Sequence, residues 1–482
     1  MSAASLDVSY VCLSDLHLGE PDSILTPLEP GSHEVDTTVA GPLLEQLVAC
    51  LQHVLGGNRG DHRPVLILNG DALELAFGSF SQALTNFERL ARLLVDRELI
   101  ERVVYIPGNH DHHIWEVARE TQYASTIAGG PREGGLPPLR HVTSVRPEDA
   151  VPAYLLNKII EGIHAPGGAV AAETGPEVLV VYPNLVIASE TDDRCVLFHH
   201  GHYVEPLYHA FSKLRRWVFP DRDPPRTIDE VEEENFAWIE FVWSLLGRSG
   251  GAGTDMRALF RMLRDDEEFA AFTDSLARRV AAERNIPWVP GDALERVVLK
   301  RAFVWVGSRL SGERSRREVV LSDELRRGIQ DYLFGPALRQ LQTDLGGIPS
   351  DLTFVLGHTH KPFEALVSDR AGGREVRVYN TGGWPIDSRR PSGAIGASIL
   401  FMNASLHAAC LRVYNDSDRD GNVSLDVRRA SDDEPGDDFR AAIESRVREP
   451  GRGRMAAPWE ALDALIREAI ARRRRKHAMD GR

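Results

Sequence analysis

The chain has 482 residues, 43% of them hydrophobic, so it is long enough to bury a large core and to form two or three folding units. Its formal net charge of -15 excludes nucleic-acid binding over the whole surface and leaves only local basic patches for such a role. No uninterrupted apolar stretch reaches about 18 residues, and no basic segment precedes the first apolar run, so the sequence predicts neither a transmembrane segment nor export.

The four cysteines are spread widely along the chain and show no paired spacing. This pattern favours buried, reduced thiols over a disulfide framework. We therefore expect a soluble globular protein of the cytoplasm.

Short runs rich in Val, Ile and Leu predict buried strands, and helical stretches at residues 39–55 and 81–95 separate the first of them. This alternation is typical of a layered α/β fold. The predicted strands lie at residues 8–13, 64–68, 102–106, 178–182, 195–198 and 353–356, with further candidates at 376–379, 397–402, 410–414 and 423–427.

Between residues 205 and 346 the pattern becomes helical, and Thr227 with Glu230 forms a candidate capping box. We interpret this segment as an insertion. The aromatic run at residues 236–243 within it favours core packing over contact with an acyl chain or a membrane.

An acidic linker at residues 431–438 leads to two predicted helices, and the second of them ends in the basic run 472–476. Such a run could attract anionic lipid or nucleic acid. A solvated helix terminus explains it without a partner, because positive charge is favoured at the C-terminal end of a helix dipole. We prefer the solvated terminus.

Five short motifs follow predicted strands, at the strand ends where open α/β folds place their sites. They are SDLHLG at 14–19, NGDALE at 69–74, PGNHD at 107–111, FHHGHY at 198–203 and LGHTH at 356–360. Any one of them alone is weak evidence, but five in order are unlikely to arise by chance. Their shared placement predicts one site.

Two of these motifs carry ligand residues two positions apart, Asp15 with His17 and His358 with His360. On an extended segment, such residues project to the same side. Asp71 follows Gly70, which permits a tight turn, and its carboxylate is able to bridge two cations.

The PGNHD motif supplies a neutral oxygen from Asn109 and a proton from His110, whose ring Asp111 could orient. FHHGHY offers three imidazoles, from His199, His200 and His202. This set of imidazole, carboxylate and amide donors, without a cysteine, suits manganese, iron or zinc.

In this order the motifs match the pattern DxH, GDxx, GNH(D/E), H, GHxH and resemble the calcineurin-like metallophosphoesterase superfamily over roughly residues 5–201 and 351–402. The resemblance implies a four-layer αββα metallophosphoesterase sandwich with a large helical insertion. The expected domains are a first core part at 1–204, a helical cap insertion at 205–346, a second core part at 347–432 and a helical C-terminal tail at 433–482.

Carried over by position, the resemblance also implies a pair of divalent ions. Asp15, His17, Asp71 and His360 would hold one ion, whereas Asp71, Asn109, His200 and His358 would hold the other. His200 is preferred over its neighbours because it directly precedes glycine. His110 and Asp111 are the expected catalytic residues, and manganese is the expected metal, with iron and zinc as alternatives.

The implied function is hydrolysis of a phosphate ester or pyrophosphate by a metal-bound hydroxide, with the insertion capping the site. The expected partner is a phosphorylated small molecule or a lipid-linked substrate, with peripheral membrane contact allowed and no stable nucleic-acid binding. SDLHLG together with GDxxE resembles the UDP-2,3-diacylglucosamine pyrophosphohydrolase branch, which is one alternative. A catalytically inactive binding scaffold on the same fold is an alternative of another class.

Overall fold

The computed structural model describes residues 6–130, 134–164, 175–189, 192–245, 319–386, 391–416, 425–449 and 454–480. The strands in these ranges are β1 (Tyr10–Leu13), β2 (Val65–Asn69), β3 (Arg102–Ile106), β4 (Val151–Pro152), β5 (Glu177–Val180), β6 (Asn184–Ala188), β7 (Arg194–His199), β8 (Asp351–Leu356), β9 (Phe363–Ser368), β10 (Glu375–Asn380), β11 (Ser392–Met402), β12 (Ala408–Asp416) and β13 (Asp426–Arg428). The sequence predicted most of them but missed β4, β6 and β9, and part of the last predicted strand lies outside the described residues.

The helices alternate with the early strands and dominate the segment before β8. They are α1 (Pro42–Leu55), α2 (Phe80–Asp96), α3 (His113–Ala128), α4 (Tyr154–His164), α5 (Ala210–Val218), α6 (Ile228–Trp238), α7 (Asp323–Tyr332), α8 (Leu338–Leu345), α9 (Asp437–Val447) and α10 (Ala457–Asp480). π-Helical turns at Ile239–Ser244 and Leu333–Ala337 extend α6 and α7. The capping box of Thr227 and Glu230 at the start of α6 is confirmed.

The strands form two sheets. The first has the order β13-β12-β11-β1-β2-β3-β5-β4, and the second has the order β6-β7-β8-β10-β9. Parallel pairing joins β1, β2, β3 and β5 in the first sheet, and β7, β8 and β10 in the second. The carboxyl ends of these parallel strands therefore lie at one edge of each sheet, where the five motifs follow.

Alternate residues of each central strand enter different core layers. In β1, Val11 and Leu13 pack against helices, whereas Cys12 lies in the cluster between the two sheets. In β8, Phe354 faces a helical layer and Val355 faces the other sheet. This alternation, with period two, builds the four-layer αββα sandwich that the resemblance implied.

The described part of the helical insertion supplies the outer layer of the second sheet. Val231 of α6, Ile329 of α7 and Leu341 of α8 lie in one buried cluster with strand residues such as Phe354. Ile239 and Trp243 of the aromatic run join the same cluster, which confirms packing as their main role. Residues 246–318 of the insertion lie outside the described part of the chain.

Helix α10 packs into the main core through Trp459, Leu462, Ile466 and Ile470. Its basic run is not a solvated helix end, so that prediction is wrong. Arg473 donates to the backbone oxygens of Ser23 and Thr26, and Lys476 lies 3.0 Å from the carboxylate of Asp22. These cations instead hold the loop that follows the SDLHLG motif.

No helix in the described ranges is both long enough and apolar enough to cross a membrane. All four cysteines, Cys12, Cys50, Cys195 and Cys410, are buried and none forms a disulfide. Burial raises the pKa of the Cys12 and Cys195 thiols, which keeps them protonated.

Replacing Trp459 with alanine should lower the free energy of unfolding by about 3–5 kcal/mol, because a fully buried indole leaves a cavity. The matched control is Trp217→Ala, since Trp217 is 81% exposed and its loss should change stability by less than about 0.5 kcal/mol. Urea unfolding of both variants measures the difference. Equal effects would show that α10 is not part of the cooperative core.

Candidate metal centre

Five loops converge at the carboxyl ends of strands from both sheets. They follow β1, β2, β3, β7 and β8, and the second sheet thus contributes to the same site as the first. The nine residues that the sequence singled out for metal binding or catalysis are all buried: Asp15, His17, Asp71, Asn109, His110, Asp111, His200, His358 and His360.

Three of these side chains form a first ligand group, Asp15, His17 and His360. Nε2 of His360 lies 3.2 Å from Nε2 of His17 and 3.4 Å from Oδ1 of Asp15. Two imidazole nitrogens at this distance are arranged as they are when both bind the same cation.

A second ligand group contains Asp71, His200 and His358. Nε2 of His200 lies 3.1 Å from Oδ2 of Asp71 and 3.3 Å from Nδ1 of His358. The same Oδ2 is 3.6 Å from Nε2 of His17 in the first group. Asp71 therefore stands between the two groups, where a bridging carboxylate would stand.

Asn109 tests whether this site suits a metal. Its side chain is fully buried, and neither Oδ1 nor Nδ2 has a hydrogen-bond partner. A buried amide without a partner is costly unless something else satisfies it, and a cation would satisfy the oxygen. Together with carboxylates and imidazoles, it makes a donor set that fits a borderline divalent ion.

The backbone of the ligand loops is not the extended chain that the two-residue spacing suggested. Asp15, His17, Asp71, His358 and His360 have φ values of 50°, 44°, 49°, 68° and 57°. The strands end before these residues, and tight left-handed turns aim their side chains. Such conformations cost about 1–3 kcal/mol each and cluster at functional sites.

Glycines in two of the motifs make room for the ligand carboxylates. A Cβ at Gly108 would lie 2.3 Å from Oδ1 of Asp71, and one at Gly357 would lie 2.2 Å from Oδ2 of Asp15. Any side chain at these positions would displace a ligand. Gly108 of GNH and Gly357 of GHTH are therefore required, because the carboxylates of Asp71 and Asp15 approach their backbone closely.

Glu74 contacts both the expected metal ligand His17 and the expected acid His110. Its carboxylate lies 2.8 Å from Nδ1 of His17 and 3.0 Å from Nδ1 of His110. Burial raises the pKa of this carboxyl, but the charges and hydrogen bonds of His110 and His17 outweigh burial and hold the pKa well below its usual range. An ionised carboxylate at Nδ1 fixes the tautomer and ring orientation of both imidazoles.

Asp111 does not orient His110, contrary to the sequence interpretation. Its carboxylate accepts hydrogen bonds from the backbone of Gly108 at 2.6 Å and of Leu73 at 3.2 Å, and from the hydroxyl of Tyr105. Asp111 thus shapes the loop, and Glu74 takes the orienting role. The GDxxE spacing was the only signal in the sequence for Glu74.

The structure places His200, rather than His199 or His202, beside Asp71 and His358. Nδ1 of His199 instead accepts a hydrogen bond from the backbone of Gly201 at 2.8 Å. His202 stacks on Tyr182 with the ring centroids 6.3 Å apart.

Three residues of the insertion reach the centre and carried no signal in the sequence. Oε2 of Glu205 is 3.7 Å from Nε2 of His358. The Tyr208 ring lies 5.2 Å from the His358 ring, and the Trp243 ring lies 6.4 Å from the His110 ring. Two aromatic rings therefore wall the site on the side of the insertion.

A buried charged cluster binds the insertion to the loop that carries His110. The cluster consists of His112, Glu232 and Glu240, in which Nε2 of His112 lies 2.8 Å from Glu232 and Nδ1 lies 2.7 Å from Glu240. Tyr182 also donates to Glu232, at 2.9 Å. Burial lowers the pKa of His112, but the hydrogen bonds and charges of the two glutamates raise it from 6.5 to about 10.

One family model, calcineurin-like phosphoesterase, matches residues 8–224, which is just under half of the chain. The matched segment contains the first four motifs and the start of the insertion. No curated protein matches the sequence. The match, the sandwich and the buried ligand groups together support the calcineurin-like superfamily, without resolving the branch within it.

Replacing Glu74 with glutamine should lower metal affinity by about 10-fold to 100-fold, because His17 and His110 lose the charge that orients them. The control is Glu88→Gln, which alters a partly exposed carboxylate on α2 that pairs with Arg92. Titration of the metal-free protein with Mn²⁺ measures the affinity, and thermal melting checks the fold. Equal affinity of the two variants would show that Glu74 does not position His17.

Replacing His112 with glutamine removes a cation that the folded state stabilises. Because the folded pKa of about 10 exceeds the ordinary 6.5, this stabilisation is complete below pH 6.5 and is lost as the pH rises toward 10. The difference in free energy of unfolding between wild type and variant should therefore shrink over this window. Urea unfolding at both ends of the window measures it, with the exposed His53→Gln as control.

Proposed function

We propose that the protein is a binuclear metal-dependent phosphoesterase that hydrolyses a phosphate ester or a phosphoanhydride. The observation that carries this proposal is Asp71, whose single Oδ2 faces an imidazole from each of the two ligand groups. One carboxylate between two sets of ligands is the arrangement that a pair of cations requires.

The first ion would be held by Asp15, His17, Asp71 and His360, and the second by Asp71, Asn109, His200 and His358. Such a pair supplies Lewis acidity toward phosphoryl oxygens and lowers the pKa of a water molecule to near neutrality. The donor set supports Mn²⁺ as the first ion to test, with iron and zinc as alternatives.

His110 is the group best placed to act on the leaving oxygen. Glu74 holds its Nδ1 at 3.0 Å, which leaves Nε2 to donate a proton or a hydrogen bond. The backbone N–H of His110 donates to Oδ1 of Asp71 at 2.8 Å. This hydrogen bond holds the expected acid, His110, at a fixed distance from the shared ligand, Asp71. The rings of Trp243 and Tyr208 limit the space available to the substrate.

The substrate class is open within this proposal, and an inactive scaffold is its alternative. All seven expected ligand residues and His110 are buried, and all of them except Asn109 belong to groups of side chains that could hold a metal ion, which argues against a scaffold. A screen with Mn²⁺ over phosphomonoesters, phosphodiesters, nucleotides and UDP-2,3-diacylglucosamine would identify the class. Tight metal binding without turnover of any of them would favour the scaffold.

The Asp71→Asn variant should lose both ions or nearly all turnover. Its side-chain amide is neutral and lacks the anionic oxygen that faces both ligand groups in the wild type. Metal content and Mn²⁺-dependent hydrolysis of a chromogenic ester measure the effect. The exposed Asp61→Asn is the matched control and should behave as wild type. An Asp71→Asn enzyme with full activity and two bound ions would refute the shared ligand.

His110→Ala should keep its metal content while hydrolysis of an alkyl phosphate falls by about 10²-fold to 10⁴-fold, the usual contribution of general acid catalysis. The rate of hydrolysis of an aryl ester with a good leaving group should fall less, because its departing oxygen needs little protonation. Rates on both esters are compared with those of His53→Ala, at an exposed position. An equal loss on both esters would argue against proton donation by His110.

A further inference from the structure

The strongest feature outside the metal centre is an exposed apolar segment on α5. Within the described residues, exposed large apolar side chains concentrate in this helix and the residue after it. Their exposed fractions are 38% for Phe211, 51% for Leu214, 81% for Trp217, 50% for Val218 and 52% for Phe219. Solvent exposure of so many neighbouring apolar groups, including an indole, indicates a contact surface.

These apolar residues form one stripe along the helix. Phe211, Leu214 and Val218 follow the spacing i, i+3, i+7, and Trp217 adjoins the last of them. Phe211 lies at the edge of this stripe, where its ring is 5.9 Å from the ring of Trp238 at the end of α6, and Arg215, one turn further along α5, pairs with Glu234 of α6. The helix is thus anchored on one side, with its apolar stripe turned outward.

The charge around the stripe is opposite in sign to that of the whole chain. Lys213, Arg216 and Arg222 are exposed beside it, whereas the chain carries a net charge of -15. The acidic residues Asp221 and Asp223 follow in the turn that leaves the helix, and Asp223 pairs with Arg226. The helix itself, Ala210–Val218, contains no acidic residue.

We propose that α5 and Phe219, here called the α5 patch, dock onto an anionic phospholipid surface. Aromatic and aliphatic side chains enter the boundary between head groups and acyl chains, while flanking Lys and Arg attract anionic head groups. A second copy of the chain fits less well, because a two-fold contact through the α5 patch would bring Lys213 and Arg216 toward their own counterparts.

The α5 patch lies close to the metal centre along the chain. Tyr208, whose ring contacts the His358 ring, is two residues before the start of α5. A helix of this length spans about 14 Å. Docking would therefore bring the metal centre close to the lipid surface.

The test is co-sedimentation of the full chain with vesicles, in the presence of a chelator so that the outcome does not depend on the proposed activity. Phosphatidylcholine vesicles are compared with vesicles that also contain phosphatidylglycerol. Binding is expected only to the anionic vesicles and should weaken with added salt. Absence of binding to anionic vesicles would overturn the proposal.

Two double variants separate the apolar and the electrostatic contributions. Trp217→Ser with Phe219→Ser, and Arg216→Glu with Arg222→Glu, should each lower vesicle affinity by about tenfold or more. The control is Leu136→Ser with Tyr154→Ser, which changes two side chains that are 52% and 50% exposed elsewhere. All these positions are exposed, so melting temperatures should stay close to that of wild type.

Equal binding by the patch variants and the control would show that another surface meets the lipid. Sedimentation velocity tests the other possible occupant of the α5 patch, a second copy of the chain. If wild type is a dimer that the patch variants dissociate, while vesicle binding is unaffected, the patch is a contact between copies and the lipid proposal is wrong.

Discussion

The buried carboxylate of Asp71 is the interaction on which the centre depends. Burial alone would raise its pKa, but the charges of His200 and His110 outweigh burial and lower the pKa well below its usual range. A buried anion of this kind needs its partners, because a charge without them is costly in a protein interior. Since those partners follow strands of both sheets, the sandwich must be assembled before the centre exists.

The ligand carboxylates also hold the loops that surround them. Oδ1 of Asp71 accepts the backbone N–H of His110 at 2.8 Å, and Oδ2 of Asp15 accepts that of His358 at 2.9 Å. These hydrogen bonds offset part of the cost of the left-handed turns at Asp15, Asp71 and His358. Asp71 and Asp15 therefore have a second function, because each fixes the position of another loop of the candidate centre.

The helical insertion serves three purposes within its described part. It forms the outer layer of the second sheet, it is bound to the His110 loop through the cluster of His112, Glu232 and Glu240, and it contributes the rings of Tyr208 and Trp243 to the wall of the site. The α5 patch extends from the same segment. The described part of the insertion thus contacts both the His110 loop and the candidate metal centre.

The sequence determined the alternating strands and helices and the five motifs, because hydrophobic periodicity and residue spacing are local properties of the chain. It did not reveal β6, which Pro183 separates from the preceding apolar run, or β9, whose side chains are only partly buried. Tertiary structure alone decided that Glu74 rather than Asp111 orients His110. It also decided that the basic run of α10 supports the loop after β1. These roles depend on hydrogen bonds between residues far apart in the chain, and local spacing carries no information about which distant groups will meet.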